Sequence, residues 1–498
     1  MLHCSATPIK TVLKGNAMET SGHGGVEYDK VDKEYFEKRQ LKRGAAGPLL
    51  LVGLGIAYVI SGDYAGWNFG LAQGGWGGLM IASVMMALMY TCMCFALAEL
   101  ATIAPTAGGG YGFARRAFGP WGGFLTGTAI LIEYAIAPAA IAVFIGGYIK
   151  SLFEIDIAQW VVSAAFFGIF LGIHIYGAGE ALRLIFGITA LAVIALIVWI
   201  FAMAPFFDSA KWFDIAVNPE ATGASSFLPF GYLGIWAAIP FAMWFFLAIE
   251  GVPLAAEETS DPKRDLPRGL IGGMFVLLAF CALIMILGPG GVGSEALKAN
   301  TNPLVAALEH PATYGGPTWI SKFVNFVGLA GLIASFFSII YAYSRLVFAM
   351  SRAGYLPRGL SLTNARQSPW VALIVPGIVG FLLSLTGQGD QLILMAVFGA
   401  TISYILMMAS HIKLRLAEPD LPRPYSTPGG VLTSGIALVL ACIALAAVFV
   451  GDTKMMIGEH AVSVAFLSAI AYAILVAYFA IYSRHHLVAA APGEEAPY

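Results

Sequence analysis

A chain of 498 residues with 59% apolar and only 11% charged residues carries too little charge for a soluble domain, where charged residues make up about a quarter. A formal net charge of −2, without a basic patch interleaved with aromatics, argues against a nucleic-acid partner. The five cysteines (Cys4, Cys92, Cys94, Cys281, Cys442) form no metal framework, and Cys92 and Cys94 sit in an apolar run as small hydrophobes.

Residues 1–46 are polar and lack the short apolar region of a cleavable signal, so the first span is expected to act as an uncleaved insertion signal. Apolar runs then recur between residues 48 and 483. About 20 helical residues cross a bilayer core of about 30 Å, and in lipid the backbone must bond to itself. The alternating segments of about 10 residues that a β-barrel needs are not seen. The runs predict twelve spans, near 48–71, 76–103, 120–149, 158–177, 182–204, 231–254, 267–288, 321–350, 370–387, 390–413, 431–450 and 460–483.

Basic residues alternate between the connections. One side has Lys38, Arg39, Lys42 and Arg43 in the tail, then Arg115, Arg116, Lys263, Arg264, Arg268, Arg352, Arg358, Arg366, Lys413, Arg415 and Arg423. The other has only Lys150, Lys211, Lys298, Lys322 and Lys454. Positive residues stay in the cytoplasm, so both termini are expected there. The outer connections 205–230 and 289–320 are long enough for short surface helices, and both tails are expected to be mobile. There is no room for a separate catalytic domain, and the histidines are scattered (His3, His23, His485 and His486 near the ends), so an enzyme is not expected.

Two spans are interrupted at mid-depth. The first carries Ser61-Gly62-Asp63-Tyr64-Ala65-Gly66 and the sixth Glu250-Gly251-Val252-Pro253. Glycine weakens a helix and proline removes a donor. Unwound backbone survives at that depth only where it is buried in protein or lines a cavity. Matching breaks five spans apart are a sequence pointer to a transporter site at the midplane.

Three motifs carry a family resemblance. They are Ala98-Glu99-Leu100 … Pro105-Thr106-Ala107-Gly108-Gly109-Gly110-Tyr111, Glu257-Glu258-Thr259-Ser260-Asp261-Pro262-Lys263-Arg264-Asp265-Leu266-Pro267-Arg268, and Ser344-Arg345 … Ala349-Met350-Ser351-Arg352-Ala353-Gly354-Tyr355-Leu356-Pro357. In this order the chain resembles the amino acid–polyamine–organocation superfamily over residues 34–485. Within it, Glu34-Tyr35-Phe36-Glu37-Lys38-Arg39-Gln40-Leu41, Ile60-Ser61-Gly62-Asp63 … Gly66-Trp67-Asn68-Phe69-Gly70 and Trp244-Phe245-Phe246-Leu247-Ala248-Ile249-Glu250 look most like bacterial ethanolamine permeases. The resemblance implies an all-α polytopic membrane protein of the bacterial cytoplasmic (inner) membrane, with twelve transmembrane helices. It also implies a LeuT-like five-plus-five inverted repeat with helices 1 and 6 broken. The division that follows is a tail (1–46), a ten-span transport core (47–415), spans eleven and twelve (416–484) and a second tail (485–498).

The resemblance places a substrate between spans one, three, six and eight, which gives Ser61, Gly62, Asp63, Tyr64, Glu133, Tyr134, Trp244, Phe245, Ala248, Glu250, Ser335 and Ser338 as candidate binding residues. Amino acid permeases of this superfamily carry a bare glycine-rich turn at the first break, whose amides hold a carboxylate. Asp63 at that spot repels a carboxylate and attracts an ammonium, which fits ethanolamine, one cation and one hydroxyl. Its other reading is a cap on the second half of its own helix. Glu250 and Glu133 read either as substrate or proton groups or as structural hydrogen-bond partners, since an intramembrane acid is costly unless used or paired. Trp244 and Phe245 are candidates to stack on an ammonium, or plain packing residues. Ser335 and Ser338 share a helix face and either take a substrate hydroxyl or bond back to their own helix.

The lysine that some proton-coupled members carry in the fifth span is missing between Arg183 and Lys211. A coupling proton therefore has Asp63, Glu133 or Glu250 as candidates, with His174 as a further one; a cation also enters on membrane potential alone. The leading expectation is a secondary permease importing ethanolamine by alternating access, with membrane lipid as its surroundings and neither cofactor nor metal. The alternative is an amino acid permease or exchanger of the same superfamily.

Overall fold

The structure, a computed structural model, describes residues 25–41, 47–451, 453–457, 459–492 and 494. Of the residues singled out above, His3, Cys4, His23, Lys42 and Arg43 lie outside the described residues. Helix α1 (Lys33–Glu37) is capped by Asp32 and is followed by α2 (Pro48–Val59), the single turn α3 (Ser61–Tyr64) and α4 (Phe69–Ile103). Pro48 opens α2, where its missing N–H leaves no bond unmade. α4 bends at Gly75 (φ 65°), so its first turns complete the first predicted span and the rest forms the second. Gly119 (φ 74°) bends α5 (Gly110–Phe153) just before Pro120, where the third span begins. Both bends need a φ that glycine adopts readily.

Next come α6 (Gln159–Tyr176), α7 (Ala178–Met203) and α8 (Gly231–Trp244). The sixth span unwinds over residues 245–248 and continues as a 3-10 segment, Ile249–Glu258. Then follow α9 (Pro262–Val292), the short α10 (Ser294–Leu297) and α11 (Pro303–Glu309), α12 (Trp319–Arg352), α13 (Trp370–Ser384), α14 (Gly389–Ala417) and α15 (Val431–Val450). A hairpin, β1 (Lys454–Ile457) and β2 (His460–Ser463), leads into α16 (Val464–Ile481). An apolar helix thus lies at each predicted position. Ten of the described helices are long and apolar enough to cross a membrane, and α2 and α13 are shorter apolar helices. Large apolar side chains such as Ile169, Phe201, Leu382 and Ile474 face outward, as contact with lipid requires.

The hairpin corrects the start of the twelfth span. Residues 460–463 pair antiparallel with 454–457, Met455 opposite Val462, and Ser463 then accepts the Phe466 N–H at 3.1 Å to cap α16. A short apolar run suits strand and helix equally, and here cross-strand bonding decides. α14 also runs two residues past the expected core limit, to Ala417.

The helices pack in exchangeable pairs. α2 lies on α9 while α8 lies on α4; α5 lies on α14 while α12 lies on α7; α5 also meets α12. α15 packs on α14, α4 and α8, and α16 on α14 and α5, outside this set.

Both terminal segments dock at one end of the bundle. Glu27 N–H donates to Arg484 O (2.8 Å), Asp29 N–H to Leu487 O (2.7 Å), and Leu487 N–H to Glu27 O (3.2 Å). Arg39 is buried and donates to Ser361 Oγ at 2.8 Å. Glu494 is buried against Arg115 Nε (2.6 Å) and the Tyr111 hydroxyl (2.6 Å). Burial pushes its carboxyl above the usual carboxylate range, and Arg115 pulls it back. Residues 25–41 and 484–488 are therefore held by bonds where mobile tails were expected. Arg115, Arg116, Arg352, Arg358, Arg415 and Arg423 form ion pairs, Arg115 with Glu494, Arg352 with Glu257 and Arg358 with Asp29 among them; those three pairs sit at this same end.

Candidate functional site

The first break exists because the sixth span presses against it. A Cβ on Gly62 would strike the Trp244 carbonyl oxygen, and one on Gly66 (φ 99°) would strike the Trp244 indole. After Tyr64 the chain is extended (Ala65 φ −159°, ψ 159°), which frees backbone groups that lipid cannot satisfy. Three of them find partners in protein. Trp244 Nε1–H donates to Ala65 O (2.9 Å), Tyr148 Oη–H to Tyr64 O (3.0 Å), and Gly66 N–H to Asn68 Oδ1 (3.2 Å). Asn68 in turn donates to Leu297 O (2.7 Å) and Asn300 O (2.8 Å), which ties the break to the connection between α9 and α12.

On the α12 side, Ser335 Oγ accepts Ser61 N–H (2.9 Å) and donates to Ala57 O (2.6 Å). It stitches α12 to the broken span. Ser338 bonds back to Ser335 O at 3.0 Å, its bland reading. Tyr64 turns toward α7 and donates to Ala192 O at 2.7 Å. Phe245 stacks on Trp67, ring centroids 5.7 Å apart.

The break in the sixth span lies at 245–248, just ahead of the predicted Glu250-Gly251-Pro253 cluster, and its hinge is Ala248 at φ 76°. An L-residue is strained there. Ala248→Gly should relieve that strain and raise stability by up to about 1–3 kcal/mol, while Ala248→Val should lower stability, because a β-branched side chain fits positive φ worse than alanine. Thermal unfolding of the purified protein in detergent measures both.

Asp63 forms no ion pair among the described residues. It is fully buried, and neither carboxylate oxygen has a hydrogen-bond partner among the described residues. It does not cap the second half of its helix; Asn68 is at that position and makes no side-chain cap bond. α9 packs against its turn, and the Cys281 thiol is within its electrostatic reach.

The other two acids meet. Glu250 accepts the Tyr134 hydroxyl (2.7 Å) and the Tyr404 hydroxyl (2.9 Å). Tyr404 Oη is 3.5 Å from Glu133 Oε1, and Tyr90 Oη–H donates to Tyr404 Oη at 3.2 Å. Tyr90 and Tyr404 were not foreseen: a tyrosine in an apolar run has no signal of its own until the fold brings it to an acid. His174 donates Nε2–H to Phe337 O at 2.8 Å, a tie between α6 and α12.

The three motifs converge on the end that carries the termini. Glu258 and Arg345, both about 1% exposed, pair at 2.9 Å; Tyr341 donates to the free Glu258 oxygen, and the guanidinium lies 3.8 Å over the Tyr341 ring. Glu257 pairs with Arg352 (2.7 Å) and accepts Ala107 N–H (3.1 Å). Glu99 gathers Arg415, Arg423 (2.9 Å) and Thr427 N–H (2.7 Å). Beside them opens a cavity of about 1090 Å³ lined by Arg39, Thr106, Glu257, Thr259 and Arg352. The arrangement is a buried junction of two broken spans, backed on one side by an ionic closure.

With this geometry in view, the chain matches the amino acid permease family over residues 50–481. It is 29% identical over 415 residues to an uncharacterized transporter of Rhizobium meliloti, covering 81% of this chain and 86% of that protein. It is 26% identical to the branched-chain amino acid permease BcaP of Bacillus subtilis (82% and 88% covered). It is 24% identical to the aromatic amino acid transport protein AroP of Escherichia coli K12 (76% and 83% covered).

Proposed function

Because the chain belongs to the amino acid permease family, we propose that it is a secondary permease that carries a small ammonium-bearing solute across the membrane by alternating access. The family and the named relatives support a multi-pass membrane transporter of amino acids or amines, rather than an enzyme. Twelve spans and a five-plus-five inverted repeat are the finer reading. It is supported by the packing pairs, which map onto themselves when each span is exchanged for the one five later. With the arginine-rich end inside, both termini are cytoplasmic.

The substrate reading favoured by the relatives is an amino acid, since BcaP and AroP are named for branched-chain and aromatic amino acids. A specific observation favours the second reading, an amine without a carboxylate such as ethanolamine. Asp63 holds an unpartnered carboxylate beside the first break, while the Ser61 and Gly66 amides there are already bonded within the protein. A substrate carboxylate would meet repulsion and few open donors; an ammonium would meet an acid.

Uptake of labelled ethanolamine into liposomes holding the purified protein divides the two. Competition by unlabelled ethanolamine but not by alanine, serine, leucine or phenylalanine establishes the amine. Transport of amino acids with no ethanolamine uptake establishes the amino acid permease. Transport of neither overturns the proposal.

A further inference from the structure

We propose that Glu133 and Glu250 together form the site of a coupling proton, separate from the acid at the first break, with Tyr404 as its positioning residue. The proposal rests on the transport reading above and narrows it. Both acids are buried and face one hydroxyl, Tyr404 Oη, at 2.9 Å from Glu250 and 3.5 Å from Glu133; two buried carboxyls so placed do not both stay ionised, so they share one proton.

Counting donors shows where that proton sits. Glu250 already accepts two hydroxyls, from Tyr134 and Tyr404. Glu133 has no donor of its own: the single Tyr404 hydrogen goes to Glu250, the nearer acceptor, and Glu133 Oε2 has no partner among the described residues. Hydrogen bonds to the charged form favour it, so Glu250 is the ionised member and Glu133 carries the proton. Tyr90 extends the chain by donating to Tyr404. The titratable groups around the pair are Tyr58 from α2, Tyr90 and Cys94 from α4, Tyr134 from α5 and Tyr404 from α14. None is a cation.

Asp63 has no hydrogen-bond partner among the described residues, so it shares no hydroxyl with either glutamate. The fold therefore offers one isolated acid at the first break and one proton-sharing pair at the second. Glu250 lies two residues past the Ala248 hinge, while Glu133 is fixed in the long helix α5. Any swing of the 3-10 segment draws Glu250 away from Glu133. The two carboxyls then part, the shared proton loses its second oxygen, and it leaves to water on the side then open.

The test uses the full-length protein in liposomes with an imposed inside-alkaline pH gradient, and compares substrate uptake with and without the gradient. The wild type should accumulate substrate at least tenfold more with the gradient, and a trapped pH dye should report proton entry with substrate. In Glu133→Gln the ratio should fall to about one. Tyr404→Phe should keep a gradient response but displace its pH profile upward, because the lost hydroxyl bonded the ionised form of Glu250. A wild-type ratio in Glu133→Gln, or an unshifted profile in Tyr404→Phe, overturns the proposal. So does a wild type that exchanges substrate with no proton movement. A wild type that exchanges neither amine nor amino acid sinks the transport reading instead.

Discussion

Glu258→Ala should lower stability by about 3–5 kcal/mol, the cost of leaving one partner of a buried ion pair without the other. The Arg345 guanidinium it strands is about 1% exposed and cannot lose its proton to escape the cost. Arg345→Ala should cost less, since a stranded Glu258 carboxyl can take up a proton and keeps the Tyr341 hydroxyl. Replacing both with apolar residues of similar size, as in Glu258→Leu with Arg345→Met, should recover most of the loss, because a buried pair gains little over good packing. With Glu258→Leu and Arg345→Met as the single variants, wild type, singles and double form a cycle with strong coupling. Thermal unfolding in detergent measures it; equal and additive losses would show that the pair does not act as a unit. Uptake by the double variant then reports whether the closure has a part in transport beyond holding the fold.

Asp63→Asn should move stability and transport in opposite directions. An unpaired acid at membrane depth costs up to about 2.5–3.5 kcal/mol by insertion scales, and the amide removes that charge. The melting temperature should therefore rise. Transport of an amine should fall, because a hydrogen bond to a charged group contributes about 1.5–3 kcal/mol. That corresponds to roughly 10- to 150-fold in affinity. A stabilised protein with impaired amine uptake is the mark of a residue kept for function at the expense of the fold. Wild-type uptake from a well-expressed variant would remove Asp63 from the substrate site.

How much of this could be read in advance follows from what each feature depends on. The spans rest on local hydropathy, which is why α15 runs over the predicted residues, Val431–Val450. The bends at Gly75 and Gly119 rest on one residue's freedom at positive φ, and the predicted span starts at 76 and 120 respect them. The first break was visible for the same reason. The second is not where glycine and proline stand: it falls over Phe245 to Ala248, where the cause is the close approach of Gly62 to the Trp244 carbonyl and the stacking of Phe245 on Trp67. Those contacts join residues far apart in the chain. Tyr404 lies 154 positions from Glu250, and Arg345 lies 87 from Glu258. The acids stood out because charge is rare in such helices; their partners did not, because tyrosine and serine are common there. The motifs were legible as strings, and only the fold shows that their acids and arginines pair with one another.

The pairing of Glu27 and Asp29 with Arg484 and Leu487 also sets a timetable for biosynthesis. The first of these residues leaves the ribosome about 460 positions before the last, which at about 5–20 residues per second is roughly 25–90 s. All that time the nascent protein has its helices inserted but its two ends unjoined. Arg115, made early, likewise waits for Glu494. The ionic end of the bundle can therefore be completed only once Glu494 has been made, and a chain cut short before that residue enters the membrane with that end unfinished.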